Sequence, residues 1–309
     1  MLVLRPPTIA VRTLPALSCL GLAIIIGGCA RGARPAENAP SGRMTIGPPA
    51  TAPLPAPPVA TRAVALEAVE IGRSVEGRPL TMYVFGRPGD GTIGVPAADG
   101  PTFILGGIHG NEPTSAAVCR ELVDFLRTHP DTWAGRRVCV LPEANPDGLT
   151  RRLRANKNLV DLNRNFPAAN WKKRPHGWTY GGDAPGSQPE TCALIETIER
   201  LRPVRIVSVH SMDQPCNNYD GPAEALARRM AAVNGYPVRA SIGYPTPGSL
   251  GSWAGVDRRM PVVTLELPAA APAARSWAAN REALLAVVND PAVASAGELV
   301  PPVVRPDRP

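Results

Sequence analysis

From residue 102 to residue 288, short and largely apolar runs alternate with stretches whose apolar residues recur at helical spacing. Thr102–Gly107, Arg137–Leu141, Val204–Val209 and Pro261–Leu267 have strand length and near-continuous hydrophobicity, the pattern of strands buried on both faces. Between and after them, Glu112–Thr128, Gln188–Leu201, Pro222–Asn234 and Ala273–Val288 read as helices. In the first, Val118, Leu122, Phe125 and Leu126 lie on or near one face. Upstream, Val64–Gly72 and Pro79–Gly86 read as two strands around the turn Val75-Glu76-Gly77-Arg78. Strands alternating with helices imply a single α/β domain: a mixed, mostly parallel twisted sheet covered by helices on both faces. The polar, Gly/Pro-rich stretch from Asn145 to about Ser187 is long for a plain connection and reads as a functional loop. No internal repeat is visible.

The predicted domain occupies 64–300, with a loose Pro-rich tail over 301–309. Residues 1–28 read as an export signal, with Arg5 and Arg12 preceding an apolar run that ends Ile26-Gly27-Gly28-Cys29. The run from Leu14 to Gly28 is shorter than the roughly 20 residues of a membrane-spanning helix. Small residues directly before a cysteine resemble a bacterial lipobox, which implies cleavage before Cys29 and lipid carried by that new N-terminal residue. Two or three acyl chains would anchor the chain stably to a membrane. Ala30 stands where an Asp would signal inner-membrane retention, so the periplasmic side of the outer membrane is the expected location. Residues 29–63 are rich in Pro, Ala and Gly and read as an extended tether.

Without Arg5 and Arg12 the formal charge falls from +7 to +5, and no Lys/Arg run suggests a nucleic-acid partner. The six cysteines include no CxxC pair. Cys119, Cys139, Cys192 and Cys216 fall in the domain, and four cysteines allow three full pairings among which sequence cannot choose.

Polar motifs sit at the ends of predicted strands, where ligands bind in open α/β sheets. His109 and Glu112 bracket a strand-to-helix turn, where they can ligate a metal or simply form a polar helix start. His210 ends one apolar strand, as a ligand or as a structural residue. Glu266 lies within another, where a carboxylate is costly to bury unless paired. Together they supply two His and one carboxylate for a catalytic zinc with an open position, plus a second carboxylate for proton transfer.

In order, His109-x-x-Glu112, Asn145-Pro146-Asp147-Gly148, Asp161-Leu162-Asn163-Arg164-Asn165-Phe166, His210 and Glu266 resemble the zinc carboxypeptidases of the M14 type, over about residues 64–290. The resemblance implies that fold and one Zn²⁺, held by His109, Glu112 and His210. It implies Glu266 as general base and acid, and Arg154 as the cation that polarises the scissile carbonyl. Asn163 and Arg164 match the pair that grips a substrate's terminal carboxylate, and Asp161 matches a partner that orients His109. Ser211, beside His210, joins the substrate contacts. Tyr244 matches the tyrosine that caps substrate, although its spacing to Gly248-Ser249 departs from the family pattern. Stretches such as Asn217-Asn218-Tyr219-Asp220-Gly221-Pro222 and Tyr244-Pro245-Thr246-Pro247-Gly248-Ser249 look most like the cell-wall amidases of that family. Those hydrolyse the bond between γ-D-glutamate and meso-diaminopimelate. The implied substrate is therefore a cell-wall peptide with a free carboxylate. Members of that group often lack an export signal, so the N-terminus here points to periplasmic trimming rather than recycling. A general carboxypeptidase on L-peptides and a non-catalytic wall-binding lipoprotein are the competing readings.

Several residues stay open. Arg151 and Arg152 read as surface, as do His129 and His176. Trp171, Trp178 and Tyr180 line a cleft or pack a core. Asn217, Asn218 and Asp220 either contact a diaminopimelate side chain or form an Asx-rich turn.

Overall fold

The structure, a computed structural model, describes residues 65–86, 100–133 and 135–291. The predicted signal, Cys29, the tether and the tail lie outside these residues. One sheet of eight strands organises the described chain. In chain order these are β1 (Ala65–Arg73), β2 (Pro79–Gly86), β3 (Thr102–Leu105), β4 (Val138–Leu141), β5 (Arg205–Met212), β6 (Cys216–Asp220), β7 (Val238–Arg239) and β8 (Val262–Pro268). Their spatial order is β1-β2-β4-β3-β5-β8-β6-β7. The middle four, β4, β3, β5 and β8, are mutually parallel, and antiparallel pairs β2/β4 and β8/β6 flank them.

The parallel strands are continuously apolar because both of their faces are covered. Ile104, Val140, Val207, Val209 and Val263 face one layer, formed by α1 (Pro113–Thr128), α4 (Glu224–Asn234) and α5 (Ala273–Val288). Phe103, Leu105, Cys139, Leu141 and Ile206 face the other. There they meet α3 (Pro189–Leu201), Leu162, Phe166 and Trp253. The expected α/β architecture with helices on both faces is the one observed.

Several boundaries and elements differ from the sequence reading. β3 stops at Leu105 rather than Gly107, because Gly107 takes φ 65° and turns the chain. The polar stretch after Asn145 contains a short helix, α2 (Pro146–Arg151), with Pro146 in its first turn and the Asn145 side chain accepting from the Gly148 N–H. Residues 216–220 are a strand and not an Asx-rich turn. Their polar side chains hid the pattern, since Asn217 is buried by bonding Asn234 and the Tyr236 carbonyl, while Asn218 donates to the Arg239 carbonyl. A π-helix, Gly251–Asp257, precedes β8. The four cysteines among the described residues are free thiols, and burial pushes those of Cys119 and Cys139 up to about 12.

Candidate active site

The C-terminal ends of β3, β5 and β8 converge on one cavity of about 720 Å³. After β3 the chain turns sharply through Gly107 and enters α1 at Pro113. His109 and Glu112 are carried on that turn. Its shape depends on close backbone approach: a Cβ at Gly110 would lie 1.9 Å from the Gly148 carbonyl carbon. Asn145 ties the pieces together, capping α2 at 2.9 Å and donating to the Ile108 carbonyl at 3.2 Å. This explains the Asn145-Pro146-Asp147-Gly148 motif as a brace beneath the His109 turn.

His109, Glu112 and His210 meet there, with ligand atoms all within 4.8 Å of one another. His109 Nδ1 lies 2.8 Å from Glu112 Oε1 and 3.1 Å from His210 Nδ1. His210 Nδ1 lies 3.1 Å from Glu112 Oε2. The opposite ring nitrogens are occupied elsewhere, His109 Nε2 on Asp161 at 3.1 Å and His210 Nε2 on Ser208 Oγ at 3.0 Å. An ionised Asp161 only accepts, so it keeps the His109 proton on Nε2 and leaves an Nδ1 lone pair facing the other donors. Two imidazole nitrogens and a carboxylate converging at about 3 Å repel unless a cation lies among them. Burial alone would lower the His109 pKa, yet the charges of Glu112 and Asp161 outweigh it and raise the pKa. Burial would likewise raise the Glu112 pKa, but His109 and His210 hold it well below the usual range. The field therefore favours positive charge, and the N, N, O donor set fits Zn²⁺.

Glu266 pairs in register with His210 on the neighbouring strand and lines the cavity. Burial, reinforced by Glu112, raises its pKa against the pull of His210, His109 and Arg154. Among the described residues its carboxylate accepts no hydrogen bond. Arg154 donates from Nε to Asp161 at 3.0 Å, approaches Glu112 at 3.4 Å and sits 5.5 Å from the Trp178 ring. Asp161 thus holds both His109 and Arg154. Those two charges drive its carboxyl far below the usual range although burial opposes them.

Asn163 and Arg164 follow on a short 3₁₀ turn, capped by Asp161. Asn163 Oδ1 accepts from the Leu250 N–H at 2.9 Å, which fixes the amide at the cavity wall. Arg164 is 3% exposed, donates to the Asn163 carbonyl and has an Nε without a partner. Burial pushes its pKa down. Ser211 also lines the cavity and donates its N–H to Glu112 at 3.0 Å. Tyr244 stands exposed at the rim.

The structure therefore brings together every site residue of the domain singled out from the sequence. Some residues were left open or missed. Arg152 is exposed, as expected, and also lines the cavity, Trp178 lines it as one of the two readings allowed, and Arg239 lines it without having been singled out. Ser208, which holds His210, is two residues before it on β5, a spacing visible in the sequence once the strand is fixed. Tyr180 is buried, and Trp171 packs against Gly248.

The chain belongs to the zinc carboxypeptidase family, Peptidase_M14, which matches residues 60–225. It is accordingly a zinc-dependent hydrolase. Over 215 residues it is 38% identical to murein peptide amidase A of Escherichia coli strain K12, spanning 64% of this chain and 79% of that one. It is also similar to the crystal structure of murein-tripeptide amidase MpaA from Escherichia coli O157, at 33% identity and TM-score 0.59, over 75% of this chain and 96% of that one. Bovine thrombin-activatable fibrinolysis inhibitor, solved with a tick carboxypeptidase inhibitor, shares the fold. Its identity is 22% and its TM-score 0.61, over 72% of this chain and 88% of that one.

Proposed function

We propose that this chain hydrolyses the amide bond between γ-D-glutamate and meso-diaminopimelate in murein stem peptides, with Zn²⁺ held by His109, Glu112 and His210. One observation carries the reading: a two-His, one-carboxylate donor set shares its cavity with an unbonded Glu266 and a buried, incompletely partnered Arg164. The similarity to amidases that act on murein peptides supplies the substrate class.

When bound, Zn²⁺ lowers the pKa of a water from about 15.7 to about 7. The remaining work falls to side chains. Glu266 takes a proton and returns it to the leaving amine, and its raised pKa suits both roles. Arg154, held by Asp161 beside the donor set, faces the carbonyl oxygen as it gains negative charge; such a donor contributes roughly 3–4 kcal/mol. Arg164 and Asn163 clasp the free carboxylate of the departing residue, which offsets the desolvation of the guanidinium. Ser211 contacts substrate beside Glu112, and Tyr244 covers it from the rim.

The proposal extends to location. A signal over 1–28, lipid on Cys29 and a tether over 29–63 would place the 64–300 domain on the periplasmic side of the outer membrane. Among the described residues no helix is long and apolar enough to cross a membrane. Cys29→Ala should release the chain from the membrane fraction, and unchanged membrane association counts against the lipid.

The activity is tested by mass spectrometry on L-Ala-γ-D-Glu-diaminopimelate beside an ordinary L-peptide, with and without chelator. Release of diaminopimelate from the first alone, stopped by chelator, is expected. Cleavage of the L-peptide alone overturns the substrate, and activity that survives chelation overturns the zinc chemistry.

A further inference from the structure

Two polar side chains outside the cavity lining meet at the start of α3. Glu190 is 0% exposed, and among the described residues no cation pairs with its carboxylate. A desolvated acid in that position needs donors. It receives one from its own N–H in the first turn of the helix, one from the Val75 N–H at 3.1 Å and one from Asn156 Nδ2 at 3.0 Å. Asn156 is buried as well, and its amide is fully used. Nδ2 also donates to Gln188 Oε1 at 2.9 Å, while Oδ1 accepts from the N–H groups of Asn158 at 3.0 Å and Val160 at 3.1 Å.

These bonds shape the loop that carries Arg154. Arg154 and Asp161 stand at the two ends of the loop and pair with each other at 3.0 Å. Between them the Asn156 N–H donates to the Val160 carbonyl and the Leu159 N–H to the Asn156 carbonyl, each at 3.0 Å. Leu159 takes φ 60° and is 61% exposed. A non-glycine residue seldom adopts that backbone, and packing gives it little support there. The side chain of Asn156, bonded on both sides of Leu159, holds the turn instead. The Arg154 carbonyl has only long contacts, from the Gly110 N–H at 3.4 Å and from Asn145 Nδ2 at 3.5 Å. Glu190 fixes Asn156, Asn156 fixes the loop, and the loop sets where the guanidinium points.

We propose that Glu190 and Asn156 are positioning residues that aim Arg154 at the scissile carbonyl oxygen without touching substrate. This rests on the role of Arg154 in the proposed function. The Arg164 loop hangs on a separate bond, from the Gln188 N–H to Asn165 Oδ1 at 3.1 Å, which a change at Glu190 leaves in place. The pair therefore acts on kcat, through the transition state, and leaves KM nearly unchanged. A misplacement of about 1 Å costs roughly 100-fold, so a loss of about 10- to 100-fold is expected.

The test is a mutant cycle on the full chain loaded with zinc, using whichever of the two peptides above wild type cleaves. Glu190→Gln keeps the shape but sets an NH₂ against either the Val75 N–H or Asn156 Nδ2. Asn156→Asp keeps the acceptor for the loop but removes both donors. Each should lower kcat by about that factor, with KM within about threefold of wild type and one zinc per chain by metal analysis. Amide exchange over residues 156–160 should quicken in Glu190→Gln. The double swap lets the new amide donate to the new carboxylate, and its kcat should exceed that of both single variants. In an Arg154→Ala background, where nothing is left to aim, Glu190→Gln should cost less than about twofold more. Asn156→Asp carries the same comparison should Glu190→Gln fold poorly. A merely structural role predicts an equal loss in both backgrounds, and that result overturns the proposal. A loss of kcat in Arg154→Ala but in neither single variant overturns the positioning alone. Arg154→Ala without loss overturns it together with the role of Arg154, and no cleavage of either peptide by wild type overturns both readings.

Discussion

Asp161→Asn separates orientation from ligation. Asp161 is 1% exposed and receives three donors: His109 Nε2 at 3.1 Å, Arg154 Nε at 3.0 Å and the Asn163 N–H at 3.0 Å. Asparagine keeps the shape but offers one oxygen. If that oxygen stays on His109 and Asn163, the new NH₂ meets the Arg154 N–H, donor against donor. In the other orientation it meets the His109 N–H, which removes the fixed tautomer. Either way the negative charge that makes His109 a better ligand is lost. Partners of this kind typically change metal affinity or activity 10- to 100-fold, about 1.4–2.7 kcal/mol. Zinc affinity, measured by competition against a chromophoric chelator, should weaken by that factor, and kcat/KM at saturating zinc should fall as Arg154 loosens. Zinc affinity and kcat/KM both within twofold of wild type would refute the role given to Asp161.

Glu266→Gln should lower turnover by roughly 10²- to 10⁴-fold while leaving one zinc per chain, measured by metal analysis beside peptide hydrolysis. Retained activity would remove Glu266 from proton transfer. Asn145→Ala removes a helix cap worth about 1 kcal/mol together with the brace to Ile108, so the melting temperature should drop by several degrees; no drop contradicts the brace. Stability should also respond to pH through Asp220. Burial raises its folded pKa, so the folded chain holds that proton more tightly than the unfolded one. The resulting stabilisation is full below the ordinary Asp value of about 3.9 and is lost as pH rises through that value to the raised one. Asp220→Asn does not titrate, and should therefore melt above wild type at neutral pH with the gap closing on acidification. A lower melting temperature at pH 7 would show a partner that the structure lacks.

Much of the fold is legible because its parallel strands are buried on both faces. Thr102–Leu105 and Val138–Leu141 carry no polar alternation to confuse the reading. The zinc donors are legible because they follow or close such strands, His109 and Glu112 on the turn after β3 and His210 near the end of β5. What escaped follows from polar burial and long-range contact. β6 reads as polar because Asn217 and Asn218 satisfy their amides on distant partners, Asn234 and the Arg239 carbonyl. β7 has only two residues, too few for a periodic signal. α2 spans six residues with Pro146 and Gly148 inside it, both poor helix signals without the Asn145 cap. The roles of Gly110 and Gly251 are set by backbone and carboxylate neighbours far away in sequence, Gly148 and Asp220. Nor does sequence show which ring nitrogen of each histidine faces the donor set. That follows from Asp161 and Ser208 occupying the other one.

Anomalous diffraction at the zinc absorption edge, on crystals of the zinc-loaded chain, tests the central claim most directly. A single strong peak is expected among His109 Nδ1, His210 Nδ1 and the Glu112 carboxylate. A peak at other residues, or ligation through the Nε2 atoms facing Asp161 and Ser208, would contradict it.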